Sequence, residues 1–208
     1  MEMTSARASA SEKNGSAVQN GALPPRERLI AAALKLFTER GFRAVGIDAI
    51  LAEAGVAKMT LYSHFDSKDA LIAAALARLE NQWGAWLGGR VLPEGAPAKE
   101  RLLSVFDALT EWFGREDFAG CTFIKASSEF PERTHQVHQL AHEHRVIAER
   151  FFESIARQAG ARDAALLTRQ LFLLVEGAIV VAQLSGGQSP ASDAKHAAAA
   201  LIESATRG

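Results

Sequence analysis

The sequence holds a single cysteine, Cys121, in 208 residues. No intrachain disulfide can form, and a reducing compartment suits the chain. Long apolar runs are also missing. The longest, LFLLVEGAIVVAQL (171–184), is broken by Glu176 and falls short of the roughly 20 residues a membrane span needs. The first residues lack the apolar centre of a secretory signal. Neither sign of charge dominates: 23 Lys/Arg stand against 24 Asp/Glu, a net charge of −1, which excludes a protein that coats nucleic acid indiscriminately. Strand-like alternation is absent, as are a glycine-rich phosphate loop, an HExxH helix and a nucleophile elbow. These absences describe a cytoplasmic protein with no membrane partner and no implied cofactor, and they give an enzyme no foothold.

What is present is helical. An apolar share of 48% is ample for a core without staples. Residues 1–23 are rich in Ser, Ala, Gly and Asn without apolar period and read as a disordered tail ending at Pro24–Pro25. Leu29, Ile30, Ala33, Leu36 and Phe37 recur at helical spacing over 26–40, and Gly41 stops that helix. Ile47, Ile50, Leu51 and Ala54 make a second, ended by Gly55, and 57–65 a third. Ser67 caps a fourth, 67–88, with Asp69 in its first turn. Further helices are expected at about 98–114, 117–129, 133–159, 162–185 and 191–206. The fold class is all-α, with about nine helices. A unit at 24–75 precedes a helical domain at 76–208.

The second and third helices meet at the turn AGVA (54–57). Two short helices joined by a glycine-containing turn describe a helix-turn-helix, here about 46–65. The second of the pair begins at Lys58 and offers its first residues to a major groove. Lys58 can pair with phosphate, Thr60 can donate to phosphate or a base edge, and Tyr62 and His64 can bond phosphate oxygens. Leu61 and Phe65 turn inward, and Lys68 adds a cation at the next helix start. The same residues also fit a polar face on a small helix that touches no DNA. Charge does not decide: residues 26–75 hold seven Lys/Arg and six Asp/Glu, net +1, and 76–208 hold fourteen and sixteen, net −2.

The stretch RLIAAALKLFTERGFRAVGIDAILAEAGVAKMTLYSHFDSKDALIAAAL (28–76), and within it AGV.K.TLY.HF.SK..L, resembles the tetracycline-repressor (TetR) family of bacterial transcriptional regulators. The likeness implies phosphate contacts from Lys58, Tyr62, His64 and Lys68, with Met59, Thr60 and Ser63 placed to read bases or adjacent phosphates. It also marks two departures. Gly46 stands where a hydroxyl residue usually caps the second helix and touches phosphate, and Ala57 where Ser often caps the third. Glycine still caps tolerably, but alanine does so poorly.

Residues 77–208 resemble the family's more variable regulatory domain, and GCTFIKASSEF (120–130) resembles a recurrent subgroup whose ligand the pattern does not fix. Aromatic residues crowd this half. A cavity walled by some of Trp83, Trp86, Phe106, Trp112, Phe113, Phe123 and Phe172, with Glu129, Ser127, Lys125 or a histidine for polarity, would suit a small apolar effector; simple core packing accounts for many of the same rings. His135, His138 and His142 fall at i, i+3 and i+7, a face that could ligate Zn²⁺ or could be merely solvated. Cys121 reads as a buried small residue rather than a redox sensor. The helices at 162–185 and 191–206 are apolar on more than one face, with Gly177 and Ala178 allowing close approach, and the resemblance implies that such a pair forms a homodimer interface. Together these features describe a ligand-responsive repressor released by a small molecule from a palindromic double-stranded DNA operator. The competing class is a metal-binding protein or metal-dependent hydrolase using the His135/His138/His142 face.

Overall fold

The computed structural model describes residues 23–207, and among these it holds nine helices and no strand. The tail reading for 1–23 lies outside the described residues, Leu23 apart. Helix α1 (Pro25–Arg40) opens on proline, where a missing N–H costs nothing because the first amides of a helix have no partner. α2 (Ile47–Ala54) closes on Gly55 at φ 63°, a left-handed conformation that strains any L side chain. α3 (Lys58–Tyr62) is a bare five residues, shorter than the apolar spacing suggested. α4 (Lys68–Gly88) starts on Ser67, whose hydroxyl accepts from the Ala70 N–H at 3.1 Å.

The remaining helices are α5 (Ala98–Phe113), α6 (Thr122–Glu129), α7 (Gln136–Gln158), α8 (Ala164–Ser185) and α9 (Ser189–Thr206). α6 begins five residues later than expected. Gly120 adopts φ 78°, and Arg115 clasps Asp117 at 2.7 and 2.8 Å, so 114–121 forms a loop instead.

Two cores hold the chain. Leu29, Ala33, Phe37, Phe42, Ile50, Leu61, Phe65, Leu71 and Ile72 close the first around α1–α4, joined by Phe123, Ala126 and Val137 from α6 and α7. Leu102, Phe106, Leu109, Phe152, Ile155, Leu171, Ile179, Ala198 and Ile202 form the second, around α5 and α7–α9. α7 therefore contributes to both cores. Cys121 packs against both.

α8 continues the apolar run noted above to 22 residues, long and apolar enough by length and composition to cross a membrane. Its packing explains that composition. Leu167, Leu171, Val175, Ala178, Ile179 and Ala182 are buried against neighbouring helices. Leu166, Leu173, Val180, Val181 and Leu184 remain exposed, with Gly177 along the same side.

Candidate nucleic-acid interface and internal cavity

The turn between α2 and α3 is held by a contact that spacing does not reveal. The Arg28 guanidinium, from α1, donates to the Ala54 carbonyl at 2.9 and 2.7 Å and also to the Gly55 carbonyl. It thereby satisfies oxygens that a helix C-terminus leaves unpaired. Leu61 and Phe65 are buried beneath, which turns the rest of α3 outward. Ala57, Lys58, Tyr62, Ser63 and His64 are exposed, and Thr60 is half-buried. Met59 is 81% exposed, an unusual position for a large apolar side chain. The Ser63 hydroxyl donates to the Thr60 carbonyl at 2.8 Å. Gly46 and Ala57 cap their helices in extended conformation with no side-chain hydrogen bond. Lys68 differs from its neighbours. Its ammonium donates to the Phe42 carbonyl at 2.6 Å and lies over the Phe37 ring, and burial lowers its pKa. It ties α4 to the loop after α1 instead of standing free.

That loop has a second anchor, from α6. Glu129 accepts from the N–H groups of Phe42 and Arg43 at 3.0 and 2.7 Å. Lys125 donates to the Thr38 carbonyl at 2.6 Å, and the hydroxyls of Thr38 and Thr122 lie 3.2 Å apart. One face of α6 is thus bound to the end of α1 and to the segment that leads into α2.

The other face of α6 borders a cavity of about 1100 Å³, walled by α1 and α4–α8 and the 115–121 loop. Trp83, Trp86, Trp112, Phe123, Ser127 and Phe172 line it. Phe106, Phe113 and Glu129 stand outside the lining. The two phenylalanines fill the second core, and Glu129 is engaged by the α1–α2 loop. The aromatic wall is continuous. Trp83 and Trp86 stack at 4.9 Å, Trp83 and Trp112 lie 4.6 Å apart, and Phe118 meets Trp112 edge-on at 5.0 Å. Cys121 also lines the cavity, and burial pushes its thiol pKa up, as expected of an unreactive thiol.

The histidine face does not assemble. His135 is the cap of α7: its Nδ1 accepts from the Val137 N–H at 3.2 Å, and its Nε2 sits 3.3 Å from Asp69. His138 donates through Nδ1 to the Phe130 carbonyl at 2.8 Å. His142 turns to the cavity. Among the described residues no group of three metal-ligating side chains converges. His144, on another face of α7, lies flat on Phe123 with ring centres 3.8 Å apart and holds Glu80 through Nδ1 at 2.5 Å. Glu176, visible in the sequence only as the break in an apolar run, faces the same cavity, and burial raises its pKa.

A buried helix-turn-helix scaffold with an exposed third helix, joined to a helical domain around an apolar cavity, defines a helix-turn-helix transcriptional regulator. Residues 29–75 match the model of the bacterial regulatory proteins of the tetR family, and residues 98–198 match the tetracyclin repressor-like C-terminal domain. The chain belongs to the TetR family of transcriptional regulators. It is 27% identical over 154 residues to the HTH-type transcriptional regulator YjdC of Escherichia coli (strain K12), covering 74% of this chain and 81% of YjdC. The structure of SCO4454, a TetR-family regulator from Streptomyces coelicolor, superposes with a TM-score of 0.82 at 28% identity, over 88% of this chain and 96% of that one. A TetR regulator from Chloroflexus aurantiacus reaches 0.77 at 20% identity, over 89% and 96% of the two chains, a likeness of fold alone.

Proposed function

We propose that the protein is a homodimeric repressor that leaves a palindromic operator when a small molecule fills the cavity. The position of α6 carries this reading. One side of it borders the cavity through Phe123 and Ser127, while the other grips the segment entering the helix-turn-helix through Glu129 and Lys125. A ligand that displaces α6 must also move that segment, together with α4, which runs from Ser67 beside the recognition helix to Trp83 and Trp86 in the cavity wall. By linkage, operator and effector weaken each other's binding by the same factor. The exposed stripe of α8 supplies the apolar surface for a twofold partner, which would set two recognition helices about one DNA turn apart.

DNA contact falls to Lys58, Tyr62 and His64, with Met59, Thr60 and Ser63 toward the bases. Without hydroxyls at Gly46 and Ala57, binding leans on charge and on the Tyr62 phenol. Lys68 takes part by holding α4 in place. Selection of random duplex DNA by the purified full chain, at two salt concentrations and beside a Lys58→Ala/Tyr62→Ala variant, tests the reading. One enriched palindrome, lost in the variant and weakened by salt, supports it. No enriched sequence rejects it.

A further inference from the structure

The effector's chemistry is written in which charges of the cavity are already spent. Three cationic side chains border it, and each has a carboxylate partner. Lys35 donates to Glu53 at 2.8 Å, Arg115 clasps Asp117, and Arg145 donates to Glu149 at 2.7 Å. An anionic ligand would find no cation unengaged. Glu176 is the opposite case. It is half-buried on the cavity side of α8 and has no hydrogen bond or ion pair among the described residues. The nearby cation Arg145 is turned to Glu149 and lies over Phe172. The nearby imidazole of His144 is held by Glu80 at Nδ1. A carboxylate in apolar surroundings costs free energy unless something pairs with it, and a desolvated carboxylate facing a cavity is a candidate functional group.

The aromatic wall supplies the other half of the argument. Indole faces attract cations, tryptophan most strongly of the aromatic side chains. This cluster already does so on its outer side, where the Arg90 guanidinium rests 4.3 Å from the Trp86 ring centre. Inside, Trp83, Trp112 and Phe118 present tilted and edge-on surfaces that can sandwich a flat ring system.

We propose that the cavity takes a planar aromatic cation, its ring body among Trp83, Trp112 and Phe118 and its positive end toward Glu176. The inference deepens the repressor reading by naming the effector class, and it rests on that reading only for the consequence at the operator.

All three tryptophans of the chain, Trp83, Trp86 and Trp112, border the cavity, so their emission reports occupancy directly. The experiment titrates the full-length protein at pH 8 with three probes of one shape: N-methylacridinium, neutral acridine and acridine-9-carboxylate. The cation should quench most tightly, about tenfold below acridine in Kd, with the carboxylate weakest. Glu176→Gln should weaken the cation about tenfold and leave acridine unchanged, with a thermal melt confirming that the variant folds. Equal affinity for cation and neutral probe, tightest binding of the carboxylate, or an unchanged cation affinity in Glu176→Gln would each overturn the proposal. The titration needs no DNA. If no operator is found the repressor reading fails while the charge preference still stands or falls by itself.

Discussion

Lys58 opens α3 with its ammonium in solvent, beside Tyr62 and His64. Each phosphate neutralised by a cation on duplex DNA contributes about 0.9 to the slope of log affinity against log salt. Lys58→Ala removes one such contact from each half-site of the proposed dimer and should therefore weaken operator binding and flatten that slope by about two, measured by fluorescence anisotropy across a salt series. Glu176 makes a different kind of prediction. Burial holds its pKa above the ordinary carboxylate value, so the folded chain keeps this proton to a higher pH than the unfolded chain does. Between the two pKa values the folded state binds more protons, and stability falls as pH rises through that window and stays lower above it. Glu176→Gln should accordingly melt higher than the wild type at pH 8 and at the same temperature at pH 3.5, where both side chains are neutral.

At the scale of elements, the boundaries set by local chemistry were legible in the residues. Gly41, Gly55 and Ser67 end or begin helices because backbone freedom or a capping hydroxyl acts within a few positions, and the inward turn of Leu61 and Phe65 followed from helical spacing. Contacts made across the chain were not legible. Glu129 reads as cavity polarity, yet it accepts from amides 86 and 87 residues away. Arg28, to which helical spacing assigns no role, closes the end of α2 from 26 and 27 residues away. The histidines share a face by spacing, but His135 falls at the cap, where its ring folds back onto the backbone. Spacing places a side chain on a helix; only packing decides what it meets. α6 carries the resulting prediction. Hydrogen bonds to a charged group contribute on the order of 1.5–3 kcal/mol, so Glu129→Ala should release the 42–43 segment. The checks are faster amide exchange at Phe42 and Arg43, and a smaller effect of a cavity ligand on operator affinity.

For the whole molecule, the two cores share α7, and Cys121 touches both, so the DNA-reading end and the cavity end are packed as one body. What is left over is the outer side of α8. Leu173 at 70% exposed and Leu184 at 81% exposed lie on it, a patch of the kind that marks an association site. If the proposed homodimer forms on this stripe, Leu173→Glu should sediment as a monomer where the wild type sediments as a dimer, and should lower operator affinity at least tenfold, because each half-site contact would then have to form independently.

The same stripe has a genetic consequence. In the proposed homodimer, subunits that meet through α8 would recognise one another without consulting their recognition helices. A cell making the intact chain and one with a damaged α3 in equal amounts would build about half of its dimers from mismatched halves, each gripping a single arm of a palindrome, and leave only about a quarter intact. Damage to α3 would then be dominant over the normal copy, whereas damage to the α8 stripe would be recessive.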